Sequence, residues 1–330
     1  MKVLLIDVDG KLPNLALMKL SAWHKQQGDE AFLNECTQPD KVYISTLFTW
    51  NHPKVEKLLQ LYPAAEVGGT GWNLHKDLPA EVEACHPDYD LYHVSDILPR
   101  IAGGIATKKS KEKKAQTIVD AGIGFTSRGC IRKCGFCFVP QKEGAFLPVA
   151  GIGELLNPRS KVLVLLDNNL TADPDCIDKL REIRDRGLTV DISQGINVRL
   201  LTPEIAQALS EVKHLRSLHY AWDLVDCLND LKIMNGILLL QKFIKAWRHM
   251  CFMLTCYNTT FEQDMYRFRM LNEMDVKPYV MPYNKHYPTQ RDHCFASWVN
   301  GRYHTACSFE EFEPWKKVRR LDGQIRIKGV

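Results

Sequence analysis

The apolar run from Val3 to Val8 reads as a buried strand. Leu12, Ala16, Leu20 and Trp23 then recur at helical spacing, and that helix runs out near Gly28. Val42 to Phe48 predicts a second strand, with a helix from about Pro53 to Leu61. Glu66-Val67-Gly68-Gly69-Thr70-Gly71 reads as a strand running into a glycine turn, and beyond Asp77 the prolines at 79, 87 and 99 interrupt the pattern. Residues 1–107 thus predict a small α/β domain.

Lys-Lys-Ser-Lys-Glu-Lys-Lys at 108–114 is a charge run, expected to be a solvated linker over 108–119 rather than a nucleic-acid contact. From residue 120 to 330 strand-like and helix-like stretches alternate. The strands are expected at Ile123–Thr126, Val162–Leu166, Thr189–Ser193, Ser217–Ala221, Met250–Thr255 and Lys277–Met281. The helices are expected at Asp175–Arg186, Pro203–Val212, Cys227–Trp247, Phe261–Met274 and His293–Asn300. Thr202-Pro203-Glu204 supplies an N-cap followed by a proline at the first helical position. Repeated βα units imply parallel strands with right-handed crossovers, closed as a partial or complete β/α barrel or, in competition, as a doubly wound sheet.

Composition narrows the class. Hydrophobic residues make 45% and charged residues 25%, the balance of an ordinary globular protein, and a formal net charge of +4 does not suggest a polyanion binder. The start Met1-Lys2-Val3-Leu4-Leu5-Ile6-Asp7 turns acidic too soon for an export signal, and no apolar run reaches membrane length. With 11 cysteines and no export signal, a reducing cytoplasm is expected, where clustered thiols are metal ligands more often than disulfides.

One such cluster exists. Cys130, Cys134 and Cys137 follow the first strand of the second region as C-x3-C-x2-C. A loop at a strand's C-terminal end is where β/α barrels carry their chemistry. Three local thiolates can wrap one corner of an iron–sulfur cube and leave an iron for a non-protein ligand. A structural zinc site more often shows paired C-x2-C knuckles, although Cys176 or a distant histidine could complete one.

The run Cys130-Ile131-Arg132-Lys133-Cys134-Gly135-Phe136-Cys137 resembles the signature of radical S-adenosylmethionine (SAM) enzymes, aromatic residue included. The resemblance implies a partial (β/α)6 barrel, a [4Fe-4S] cluster held by the three cysteines, and SAM chelated by the unique iron. It also implies reductive cleavage of SAM to a 5′-deoxyadenosyl radical, fed by a donor such as flavodoxin or ferredoxin. Phe136 would pack near the adenine, and the end of strand two, Asp167 and Asn168, would contact the SAM amino group. Many relatives carry Gly-Gly-Glu there; Asp167-Asn168-Asn169 looks more like the cobalamin-associated branch. At the end of strand three, Gln194 and Asn197 could bond ribose or carboxylate, and Arg199 could pair with the SAM carboxylate. Asp223, Tyr257 and Asn284 follow strands four to six, each equally at home as a turn or cap residue.

The order of elements also resembles the branch with a Rossmann-like, cobalamin-binding domain in front. Gly68, Gly69 and Gly71 could then admit a phosphate or corrin tail, with a tight connection as the plainer alternative. Cobalamin-dependent methyl transfer is therefore one sub-case. The other class is a non-catalytic iron–sulfur or zinc protein that binds nucleic acid, to which the basic stretch 315–320 could contribute. Asp7-Val8-Asp9-Gly10 also resembles the nucleophile strand of haloacid-dehalogenase-type phosphatases, although Lys11 stands where their threonine would fall. Of the scattered thiols, Cys256 is expected at a strand end facing the cavity.

Overall fold

A computed structural model describes residues 1–101, 107–283 and 289–318; Asn284 and residues 319–320 of the basic tail lie outside them. The chain divides into two compact units, residues 1–126, 141–144 and 149–166 against residues 127–140, 145–148 and 167–330. Among the described residues no helix is long and apolar enough to cross a membrane.

In the first unit β1 (Lys2–Asp7), β2 (Glu30–Leu33), β3 (Lys41–Ser45) and β4 (Glu66–Gly68) form a parallel sheet ordered β2-β1-β3-β4. β1 is apolar without alternation because both its faces are buried. Val3 and Leu5 join one core with Leu17 and Met18, whereas Leu4 and Ile6 join another with Val42, Ile44, Val55 and Val67. α1 (Leu15–Gln26) starts later than Leu12 because Asn14 caps it, its side chain accepting from the Leu17 amide. β2 escaped the hydrophobic pattern as an edge strand whose apolar residues are only half-buried. α2 (His52–Leu61) falls as expected, and α3 (Ala80–Glu83) and α4 (Val94–Ile97) are single turns in the proline-broken stretch.

The expected linker is instead a helix, α5 (Lys108–Asp120). Thr107 caps it, and Ala115, Ile118 and Val119 bury one stripe at helical spacing in the same core as Val3 and Leu5. The lysines are the solvated face of that helix. Ile123 of β5 (Gly122–Gly124) and Val164 of β8 (Val162–Leu165), a parallel pair, belong to this core too. The chain therefore does not divide at 108–119: the first two strands expected of the second domain pack in the first unit. Between them lie a two-residue antiparallel ribbon, β6 (Ser127–Arg128) with β7 (Leu147–Pro148), and the short α6 (Val139–Lys142).

The second unit carries β9 (Thr189–Ile192), β10 (Lys213–His214), β11 (Leu218–Ala221), β12 (His249–Thr255) and β13 (Lys277–Pro282), every pairing parallel. Strand four is split. Its first half, β10, pairs with β9, and its second half, β11, pairs with β12. The Ile196 amide reaches the His219 carbonyl at 2.8 Å, which ties the loop after β9 to β11. α7 (Cys176–Asp185), α8 (Pro203–Glu211), α9 (Cys227–Gln241), α10 (Phe261–Glu273) and α11 (Gln290–Asn300) alternate with these strands. α9 stops short of Trp247: the Lys242 and Phe243 amides turn back three residues onto Leu239 and Leu240 and close it.

Candidate active site around the cysteine loop

All three cysteines of the triplet are half-buried and free. The loop that carries them is held from below by the end of strand two. Buried Asp167 accepts the Ser127 amide and the Ser127 hydroxyl, each at 2.7 Å on Oδ1. Asn168 Oδ1 accepts the Gly129 amide at 2.9 Å. Asn169 Nδ2 donates to Cys130 Sγ at 3.4 Å, and the Arg132 amide donates to the same sulfur at 3.4 Å. Three consecutive residues therefore bind Ser127, Gly129 and Cys130. Asp167 Oδ1 and Asn168 Oδ1, expected to face the SAM amino group, are spent on the loop itself.

Asn169 is fixed in turn. The Asn197 backbone N–H donates to Thr171 Oγ1 at 2.9 Å, and the hydroxyl hydrogen has Asn169 Oδ1 at 3.2 Å as its nearer acceptor, with the Asn197 carbonyl at 3.4 Å. Asn197 Oδ1 accepts Arg199 Nε at 2.8 Å, so its side chain orients the guanidinium rather than standing open to a ligand. A polar chain thus runs from Cys130 through Asn169, Thr171 and Asn197 to Arg199. Gln194 is exposed on the turn beyond β9.

Charge gathers at the triplet. Burial lowers the Arg199 pKa, as does Arg132, while Cys134, Asp223 and Cys130 oppose them. Burial pushes the Cys137 thiol up, the neighbouring Cys134, Cys130 and Asp223 add to it, and a bond from the Val139 backbone opposes. Burial likewise raises Asp223 against the pull of Arg267, Arg199 and Arg132. Arg132 Nε is buried with no hydrogen-bond partner among the described residues. Such an orphan costs about 1–3 kcal/mol and marks a place for a further acceptor.

An aromatic group packs beside the loop. Phe136 meets Tyr257 edge-on at 5.5 Å, and Tyr257 meets Tyr283 at 4.7 Å. A side chain at Gly135 would come within 2.7 Å of the Tyr257 hydroxyl. Tyr257 is carried by a strained turn, since Cys256 and Asn258 on either side of it have φ of 62° and 49°. Cys256 bonds Thr255 Oγ1 at 3.9 Å, and burial, with Asp292 next, pushes its thiol up to about 11.

The donor set fits an iron–sulfur cluster. Thiolates are its ligands, N–H donors already face one sulfur, and two guanidiniums offset the negative charge that three thiolates add. Among the described residues no three His, Cys, Asp or Glu side chains form a group that could hold a single metal ion. A cube differs in taking one thiolate on each of three irons.

Of the first unit's predicted glycines, Gly69 and Gly71 serve packing. A side chain at Gly69, where φ is +93°, would fall 2.2 Å from the Thr46 carbonyl oxygen, and one at Gly71 would fall 2.4 Å from the Phe48 nitrogen. The chain's own backbone fills the space kept for a phosphate. Gly68 has nothing within 4 Å of an added Cβ. Both aspartates of the phosphatase-like motif are occupied as well. Asp7 accepts Tyr92 and Arg100 on Oδ2 at 2.8 and 2.5 Å and the Gly10 amide on Oδ1 at 3.1 Å. Asp9 accepts the Thr46 hydroxyl, the Leu47 and Phe48 amides and the Asn51 side chain between 2.6 and 3.1 Å. No oxygen of Asp7 stands ready as a nucleophile.

Arg132 and Thr171 were not singled out in the sequence, and Asn169 was read only as part of the strand-two end, not as a partner of Cys130. A cation between two thiolates of the motif was a usable signal for Arg132; nothing local marks Asn169 or Thr171, whose partners lie 39 and 26 residues away in the chain.

No protein-family model and no curated protein matches the chain. Among solved structures it is similar to Streptococcus suis SuiB bound to S-adenosylmethionine, at 14% identity over 62% of this chain and 52% of that one, with a TM-score of 0.41. A second structure of Streptococcus suis SuiB gives 13% identity, 64% and 56% coverage and the same TM-score of 0.41. The chain spans about half the length of those proteins, and a likeness this distant does not establish a shared fold.

Proposed function

We propose that this chain is a radical SAM enzyme whose Cys130, Cys134 and Cys137 hold a [4Fe-4S] cluster. The observation that carries the reading is the cysteine loop itself: a C-x3-C-x2-C triplet after a parallel strand, with the Asn169 amide and the Arg132 backbone N–H directed at the Cys130 sulfur. The same reading makes β5, β8, β9, β10 with β11, β12 and β13 the six strands of a partial β/α barrel. Its support is that their pairings are parallel and that helices α7 to α11 separate the later ones.

When bound, the cluster and SAM supply a 5′-deoxyadenosyl radical for hydrogen abstraction. The chain's own residues bind and orient. Asp167 and Asn168 hold the loop, Asn197 aims Arg199 so that its terminal nitrogens are free of that bond and can pair with a carboxylate, and Phe136 with Tyr257 shields the loop from water. Asp223, kept protonated more readily by its burial, is the nearby group that could hold or pass a proton. Gly69 and Gly71 take no part in cobalamin binding in this reading, because the Thr46–Phe48 backbone occupies the space beside them.

Anaerobic reconstitution with iron and sulfide, followed by dithionite and SAM, is expected to give about four irons per chain and to release 5′-deoxyadenosine. Cys134→Ala is expected to lose most of the iron and all of the product. Equal iron in that variant, or a wild-type cluster that leaves SAM intact, sinks the reading.

A further inference from the structure

At the end of strand two Asn169 bonds a cysteine of the triplet, and it is buried at 5% exposure. Its amide could in principle present either edge to the sulfur. The neighbouring hydroxyl decides which. Thr171 Oγ1 accepts the Asn197 backbone N–H at 2.9 Å, and of the two acceptors in reach of its own hydrogen Asn169 Oδ1 at 3.2 Å is nearer than the Asn197 carbonyl at 3.4 Å, so Nδ2 is the edge left for Cys130 at 3.4 Å.

We propose that Asn169 is a positioning residue for the reduced state of the cluster: its amide, fixed by Thr171, donates to the Cys130 sulfur and raises the cluster's reduction potential. This rests on the functional reading above. Reduction adds an electron to the cluster and its thiolates, so a hydrogen bond to a ligating sulfur is stronger in the reduced state and stabilises it selectively. The site is half-buried, where such a bond is less screened than in water. The Arg132 amide shares the sulfur at 3.4 Å, but it belongs to the backbone of the loop, whereas the Asn169 bond is supplied by a side chain and can be removed without altering the loop's sequence.

The test is an anaerobic redox titration of the reconstituted full-length protein, followed by the EPR signal of the reduced cluster, with iron and sulfide measured on the same samples. Asn169→Leu keeps the volume and removes the donor. Its iron content is expected to stay at the wild-type level while the reduced-to-oxidised ratio at a fixed potential falls about threefold to tenfold; tenfold is ~59 mV for a one-electron couple. Thr171→Val leaves the donor but frees the amide to turn, and a smaller shift of the same sign is expected. If Asn169→Leu does not assemble a cluster, Thr171→Val decides alone. A full cluster with an unmoved potential in the variant that assembles overturns the role of Asn169 and leaves the functional reading standing. A wild-type protein that takes up no cluster overturns both.

Discussion

Two loops of this protein invite the same functional reading and are built in opposite ways. Gly68–Gly71 follows a parallel strand of the first unit, and the cysteine loop follows β5; each is small, polar and placed where α/β proteins bind ligands. In the first, the missing side chains make room for the backbone of Thr46–Phe48, and Asp9 accepts three donors from the same segment and a fourth from Asn51. In the second, the chain directs N–H groups at a sulfur and, among the described residues, leaves Arg132 Nε buried without a partner. A glycine turn closed on its own backbone is a packing device. A loop with two N–H donors on one cysteine sulfur is arranged around that sulfur rather than closed on its own backbone.

Substitutions at three glycines separate the two designs. The largest effect is expected at Gly69→Ala, where the added Cβ meets a carbonyl 2.2 Å away on a backbone with φ of +93°. It should cost about 3 kcal/mol in a urea melt while the reconstituted iron per folded chain stays constant. A loss below about 0.5 kcal/mol breaks the packing account of this turn. Gly135→Ala comes next. Its Cβ meets only the tip of Tyr257, at 2.7 Å, and a side chain can swing aside. About 1 kcal/mol of stability should be lost, with more solvent access to the cluster and therefore faster bleaching of its absorbance in air. An unchanged bleaching rate removes Tyr257 as the cover of the loop. The smallest effect belongs to Gly68→Ala, which enters open space and should change stability by no more than about 0.5 kcal/mol. A large loss there means that Gly68 serves something other than the turn's packing.

The contrast extends to what the residues themselves reveal. The strands and helices of the second unit were legible because each alternates or repeats on its own: β12 shows buried and half-buried residues in strict turn, and Thr202 and Pro203 announce α8. α5 was misread because seven residues of mostly like charge hide a stripe of only three buried side chains. β2 was missed because an edge strand need bury little. Gly69 and Gly71 were read for what they could admit, and no local pattern tells that a loop more than twenty residues earlier already fills the space.

By itself, then, the sequence determined the parallel α/β character, the position of most elements and the spacing of Cys130, Cys134 and Cys137. These depend on periodicity and on covalent distance, which the chain carries locally. Tertiary structure alone decided that the first two strands of the expected barrel share a core with the first unit, and that Asp167, Asn168 and Asn169 serve the cysteine loop. It also set Arg199 against Asn197 and placed Tyr257 over Gly135. Each of these is a contact between residues far apart in the chain. A polar side chain shows what it can bond, but only the fold determines which of the available partners reaches it first.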